Sequence, residues 1–423
     1  MKKIILFLLL TISTNLTAQT NFHQIRYIQD GGTKNVAIKA FAKNGDYLYA
    51  ASHFHDSYLK TYNIKDPGTM YLTDSIKYIY DDRNIYDLFI EGNKLYAIGT
   101  KGLTIYSLTD PAKPTQTAFI TKVMDGKDEK KLNAECAVKS GNTLLCENGW
   151  NELVSMNISN TSQPVYNGRI GHTGIMKDIK LINSSTALFC DGYNAYMLNF
   201  SNPAKLTKTT ITIDGEPDAI CYNPEKKVAY ISATSSNGKW TGIYIIDVET
   251  NQKVSSINLR SYDSEARDMS LKDSETLLLG TYDGLMVLDV SDINETKVIE
   301  YFKTPYFGGA KEAIISIDDS YFIAANYDDI IAYKWGPGGG SGINDISDEA
   351  ITIFPNPVKD KLIIKGLNYN STISIYDING KLVYKNKAIT NEVDIRNLKN
   401  GLYTIKIEDK NHNHAVIKKI IKH

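Results

Sequence analysis

Seven short segments of this chain carry an acidic or amide side chain at one repeated position, and that repetition is the first chemistry the sequence offers. The segments are KNVAI (34–38), YDLFI (86–90), AECAV (134–138), KDIKL (177–181), PDAIC (217–221), RDMSL (267–271) and KEAII (311–315). Aligned, they stack Asn35, Asp87, Glu135, Asp178, Asp218, Asp268 and Glu312. Convergent carboxylates suit a hard cation or a polar ligand. They suit a structural task equally well, because a buried acid must be satisfied by backbone N–H groups or by a cation. Lys34, Lys177, Arg267 and Lys311 directly precede four of the seven and supply such cations. A structural device is copied into every repeat, whereas a binding site ordinarily breaks the symmetry. The structural reading is therefore the expectation, and a ligand site at this ring of acids is the sharper alternative.

Symmetry does break in the neighbouring loops. They hold His53-Phe54-His55-Asp56, a charged loop from Met124 to Lys131, Gly149-Trp150-Asn151, Gly171-His172-Thr173 and Gly238-Lys239-Trp240. Trp150 and Trp240 beside carboxylates can stack on sugar rings. With Asp87, Glu135, Asp178, Asp218, Asp268 and Glu312 they form the candidate ligand-binding set. The imidazoles of His53, His55 and His172 are potential metal ligands. No further His/Cys cluster supports them, so they are expected to be solvated loop residues, with no metal and no cofactor. The chain has no Gly-rich phosphate loop, zinc-helix motif or nucleophile elbow. No catalytic residue is assigned, although a scattered site on several repeats would leave no local motif.

The elements that position these residues follow from an internal repeat of roughly 40–50 residues. YAIGTKGLTIYSLTDPAKPTQTAFI and LLLGTYDGLMVLDVSDINETKVIEYF show it best. Each copy reads as four short strands. The middle two are continuous apolar runs, a Gly/Asn/Asp turn joins them, and an Asp/Asn-Pro turn precedes a more polar fourth strand. Four strands per unit at this spacing predict an all-β, seven-bladed β-propeller over residues 21–335. The seventh unit lacks a fourth strand, and residues 22–30 are expected to supply it. GLTIYSLTDPAKP and GLMVLDVSD resemble the LVIVD-repeat propellers of bacterial surface proteins, which implies a fold and a location but no reaction.

The two ends read as an address. Lys2 and Lys3, the apolar stretch from Ile4 to Ile12 and Leu16-Thr17-Ala18 predict a signal peptide over 1–18, too short to anchor in a bilayer. No Cys follows the expected cut, which argues against a lipid-anchored lipoprotein. The Gly- and Ser-rich stretch 336–349 is a flexible linker. Residues 350–423 alternate like a small Ig-like β-sandwich. Phe354-Pro355-Asn356-Pro357, Ile375-Tyr376-Asp377 before Asn379-Gly380, Gly401 within 398–403 and a Lys-rich end resemble the type IX secretion sorting domain. That resemblance implies recognition by the outer-membrane export machinery, with Pro355, Asn356, Pro357, Gly380 and Gly401 as motif residues, and a secreted or surface location. Cys136, Cys146, Cys190 and Cys221 sit in apolar runs and are read as buried thiols, with Cys136–Cys146 the pair to test. A net charge of −1 gives no reason to expect nucleic acid. A monomer is expected that binds a carbohydrate or protein ligand without catalysis. The alternatives are a secreted hydrolase or lyase and a purely structural surface component.

Overall fold

The computed structural model describes residues 22–29, 37–53, 58–77, 84–148, 151–235, 241–262, 265–282, 284–303, 313–326, 329–336, 352–365, 372–378, 380–387, 392–409 and 414–423. Every described regular element is a strand except two single-turn 3₁₀ segments, Pro67–Thr69 and Arg260–Tyr262. No helix among the described residues is long and apolar enough to cross a membrane.

The described residues between 22 and 335 form seven sheets, six of them four-stranded and antiparallel, of the kind that makes propeller blades. Their first strands are Ala37–Asn44, Ile85–Glu91, Ala137–Ser140, Asp178–Asn183, Glu216–Asn223, Ala266–Asp273 and Ile314–Ser316. These strands neighbour one another in succession, and that of the first sheet also neighbours that of the seventh. The second and third strands, such as Lys94–Gly99 and Gly102–Ser107, are buried along nearly their whole length. Adjacent sheets cover both their faces, so continuous apolar runs rather than alternation encode them. Leu103 and Ile105 of the second sheet, for example, share a core with Leu144 and Val154 of the third.

The repeated polar turn after the third strand has a local cause. Asp110, Asn160, Asn202 and Asp292 each accept, through Oδ1, the backbone N–H two residues on, at 2.9–3.0 Å. Such side-chain turns mimic a backbone turn and stop the ladder. Third and fourth strands then pair across a register shift in the first, second, third, fifth and sixth sheets. Bulges of this kind sharpen the twist of a strand pair.

Phe22–Gln29 is the outer strand of the seventh sheet, pairing antiparallel with Asp329–Trp335. Phe22 fixes the pairing. It is 3% exposed and meets Phe322, Tyr333 and Trp335 edge-on at centroid distances of 5.2, 5.6 and 5.9 Å. The third sheet departs from the pattern with six strands. The stretch from Met124 to Lys131, read above as a charged loop, belongs instead to a hairpin of Lys122–Asp125 with Asp128–Lys131, whose first strand pairs parallel to Val165–Gly171. Asp125-Gly126 supplies the tight turn, with Gly126 at φ 63°, and Val123 is buried beneath it.

The described residues within 352–423 form a three-stranded and a four-stranded sheet around one core of Val358, Leu362, Ile364, Ile373, Ile375, Ile405 and Ile420. The four cysteines are free and buried.

Candidate functional site

The first strands bring the repeated acids together. Asp87, Asp178, Asp218 and Asp268 on first strands, and Glu135 just before the third sheet's, line one cavity of about 390 Å³, a central channel that reaches from Lys39 of the first sheet to Ile314 of the seventh. Asn35 and Glu312 lie outside the described residues.

The acids do not behave alike. Asp87 accepts the backbone N–H of Ala137 at 3.3 Å, Asp178 that of Ile220 at 2.8 Å, and Asp268 that of Ile314 at 2.8 Å. In each case the donor lies in the next sheet, two residues beyond that sheet's own aligned acid. Asp178 and Asp268 also accept the N–H of the residue that follows them, at 2.7 and 2.8 Å. The second, fourth and sixth sheets thus clasp the third, fifth and seventh. Asp218 instead takes the Arg267 guanidinium at 3.2 Å. Glu147 clasps the third sheet to the fourth by accepting Met176 N–H at 3.1 Å.

Lys180 stands among the clasping acids, its ammonium 2.9 Å from Asp178 Oδ1. It is ringed by protein yet keeps 40% of its side chain in contact with solvent in the channel. Burial lowers its pKa, but the charges of Asp178, Asp87 and Asp268 outweigh that and raise it above the usual lysine value. Burial pushes Asp268 up to about 6 and raises Asp87, with Lys180 opposing both. Glu147, buried, is pushed up to about 7.

A second and larger cleft of about 560 Å³ adjoins the channel and shares Lys177, Asp218 and Arg267 with it. It lies between the fourth, fifth and sixth sheets. Asp191 builds its fourth-sheet wall. Asp191 Oδ2 accepts the N–H groups of Thr173 and Gly174 at 2.7 and 3.2 Å, and Oδ1 those of Tyr193 and Asn194 at 3.0 and 2.8 Å. These four bonds are an oriented set of donors that holds the carboxyl below its usual range in spite of burial. Gly174 lets the two loops meet, since a Cβ there would lie 2.3 Å from the Asp191 carbonyl and 2.5 Å from the Tyr193 ring. Tyr193 rests on that seat, 62% exposed. The fifth and sixth sheets bring Glu216, Asp218, Glu265 and Arg267. The Arg267 guanidinium bridges Asp218 at 3.2 Å and Glu265 at 2.7 Å.

His172 is not the solvated residue expected. Its side chain is fully buried, 3.7 Å from Asp191 Oδ2 and edge-on to Phe189. Neither ring nitrogen makes a hydrogen bond of ordinary geometry. Burial lowers its pKa and Asp191 opposes this. Asp191 also accepts the N–H groups of the two residues that follow His172, Thr173 and Gly174, and so holds this loop against the fourth sheet. The side chains of His53 and His55, with Trp150 and Trp240, lie outside the described residues. Among the described residues no group of three or more His, Cys, Asp or Glu side chains is placed to hold a metal ion. Sequence reasoning missed Tyr193, Glu216 and Glu265. The signal for Tyr193 was an aromatic inside the tight turn Asp191-Gly192-Tyr193-Asn194, where polar residues normally sit.

In the C-terminal unit the motif residues take definite places. Asn356 donates to the Lys419 carbonyl at 3.0 Å and accepts Ile421 N–H at 2.9 Å, tying Pro355-Asn356-Pro357 to the last strand. Gly380 closes a turn at φ 76°, its N–H on the Asp377 carbonyl at 3.0 Å, and Gly401 begins the long strand Gly401–Asp409.

Comparison with known proteins divides the chain in the same way. Residues 352–423 match the secretion system C-terminal sorting domain. An endo-acting ulvan lyase from Formosa agariphila is 35% identical over 83 residues, 19% of this chain and 16% of that protein, so the chain spans about one sixth of this relative. Among solved structures, PorZ is a surface component of the type IX secretion system of Porphyromonas gingivalis. It is similar with a TM-score of 0.51 at 12% identity, over 90% of this chain and 59% of that one. The extracellular domain of the one-component system BT4673 from Bacteroides thetaiotaomicron is similar with a TM-score of 0.54 at 12% identity, over 96% and 60%. The chain thus spans less than two thirds of both structures, and at this identity the likeness speaks for a propeller-type β fold alone. The sorting domain marks the chain as a protein exported by the type IX machinery to the cell surface or beyond.

Proposed function

We propose that this chain is an exported, non-enzymatic binding protein. Residues 21–335 are a seven-bladed propeller of the LVIVD-repeat kind, completed by its own N-terminal strand within 22–30. Residues 1–18 are a removable signal peptide, 336–349 a linker, and 350–423 an Ig-like sorting sandwich. The propeller binds its ligand in the cleft between the fourth, fifth and sixth sheets. One contrast carries this reading: Asp87, Asp178 and Asp268 are engaged in joining sheets, whereas the cleft presents an exposed aromatic beside charged groups. Tyr193 and Glu216 break the repeat and, with Lys177, line an open cavity.

The 83-residue likeness to a protein named as an ulvan lyase favours a second reading, a polysaccharide lyase. One experiment tests both. The purified chain and its Tyr193→Ala and Glu216→Ala variants are passed over immobilised oligosaccharides and outer-membrane proteins, and bound material is examined by mass spectrometry. The binding reading expects retention by wild type without new chain ends, reduced about tenfold by Tyr193→Ala. New chain ends carrying an unsaturated sugar would establish the lyase instead. Equal retention by wild type and both variants would remove the cleft from the function.

A further inference from the structure

Resting on that reading, we infer that the cleft binds an uncharged saccharide, with a sugar ring stacked on Tyr193 and its hydroxyls held by the Arg267–carboxylate array. The platform is built before any ligand arrives. Asp191 ties the backbone of Tyr193 and Asn194 to that of Thr173 and Gly174 through its two oxygens, and the ring is seated on Gly174. A rigid aromatic binds with little loss of conformational entropy. Its 62% exposure leaves the outward part of the side chain for a flat, C–H-bearing ligand surface.

The other walls decide what else that ligand must carry. Arg267 is fixed between Asp218 and Glu265, so guanidinium donors alternate with carboxylate acceptors along one wall. A hydroxyl group fits such an array because it donates to a carboxylate while accepting from a guanidinium. Adjacent hydroxyls on one ring can use both partners at once. An apolar ligand would strip water from these charges and replace none of their hydrogen bonds.

Charge excludes the anionic sugars. Asp191, Glu216, Asp218 and Glu265 line the cleft against Lys177 and Arg267, and Arg267 is already neutralised by two carboxylates. A uronate or sulfate would face like charge, which costs affinity. The volume of about 560 Å³ is that of a small-molecule cleft rather than of a flat protein-docking face.

The test is calorimetric titration of the purified full chain with short uncharged oligosaccharides and with uronic-acid oligosaccharides of equal length. The inference expects binding of an uncharged member. Tyr193→Ala should weaken it by about tenfold or more, because truncating an aromatic anchor removes most of its contact. Tyr193→Phe should stay within about twofold, since the ring and not the hydroxyl is used. The uronic-acid series should bind at least about tenfold more weakly, as like charges repel. Tyr193 is largely exposed, so both variants should unfold with the wild type, which circular dichroism checks. Uronic-acid binding as tight as neutral binding would overturn the inference, as would indifference to Tyr193→Ala. If no saccharide binds but an outer-membrane protein is retained in a Tyr193-dependent way, the saccharide assignment falls while the cleft reading stands. If no ligand of any kind responds to cleft substitutions, both fall.

Discussion

The clasp between the fourth and fifth sheets can be weighed against a neighbour that looks the same in sequence. Asp178 accepts Ile220 N–H at 2.8 Å, Ile179 N–H at 2.7 Å and the Lys180 ammonium at 2.9 Å. In Asp178→Ala both amides lose their acceptor, and Ile179 and Ile220 are each only 1% exposed. A buried donor left alone costs about 1–3 kcal/mol, so two of them cost at least about 2 kcal/mol. The ion pair adds little. Lys180 is 40% exposed and keeps Asp87 and Asp268 nearby, so its share is at most about 1 kcal/mol.

Asp218 occupies the aligned position one sheet later, but it pairs with the Arg267 guanidinium, both side chains being about a third exposed. Its loss should therefore cost below about 1 kcal/mol. Urea unfolding at neutral pH, followed by tryptophan fluorescence, compares the two alanine variants through their midpoints at constant slope. Asp178→Ala should be the less stable by about 2–3 kcal/mol, with Asp178→Asn between, because an amide oxygen still accepts from Ile220. Equal losses for Asp178→Ala and Asp218→Ala would refute the division of the acids into clasps and cleft groups.

Other consequences are open to direct measurement. Glu147, pushed up to about 7 by burial, binds its proton more tightly in the folded than in the unfolded chain. Its contribution is therefore most favourable at low pH and is lost as pH rises from the ordinary carboxyl range through about 7. Glu147→Gln keeps an acceptor for Met176 and should exceed wild type by about 1–3 kcal/mol at pH near 8, with the gap closing near pH 5. A gap independent of pH in urea titrations would contradict the cause. Gly102→Ala should cost more than about 2 kcal/mol, since φ is 123° and the new Cβ would meet the Ile120 carbonyl at 2.1 Å. Gly45→Ala, at φ 54° with open space around it, should cost about 1 kcal/mol, and thermal melts would expose any reversal of that order. Deleting residues 352–423 should leave the chain inside the cell envelope, and Asn356→Ala should lower export by loosening the last strand. Cell fractionation with surface proteolysis would contradict this if the truncated chain still reached the surface.

Legibility in the sequence follows the reach of the forces involved. The second and third strands are readable because burial on both faces demands unbroken apolar runs such as LLLG and GLMVL. The turns after the third strand are readable because Asp110 or Asn202 acts on an amide two residues away. The pairing of Phe22–Gln29 with Asp329–Trp335 is readable from a deficit, one strand missing at the end and one to spare at the start. The division among the acids is not readable. KDIKL and PDAIC offer the same carboxylate at the same position, and the distance to the next sheet's amide decides which one becomes a clasp. That distance is set by the packing of whole sheets. His172 shows the same limit. A Gly-His-Thr loop looks solvated until Asp191, on the turn after the second strand that follows, binds its backbone. The hairpin of Lys122–Lys131 was obscured for another reason: its charges suggested solvent, whereas Asp125-Gly126 and the buried Val123 carried the structural signal. Repetition therefore reports what holds the sheets together, and departures from it report what a ligand meets. Tyr193 combines both: a turn that the repeat requires carries a ring that the repeat does not, and Asp191, which orders the turn, fixes the ring in place.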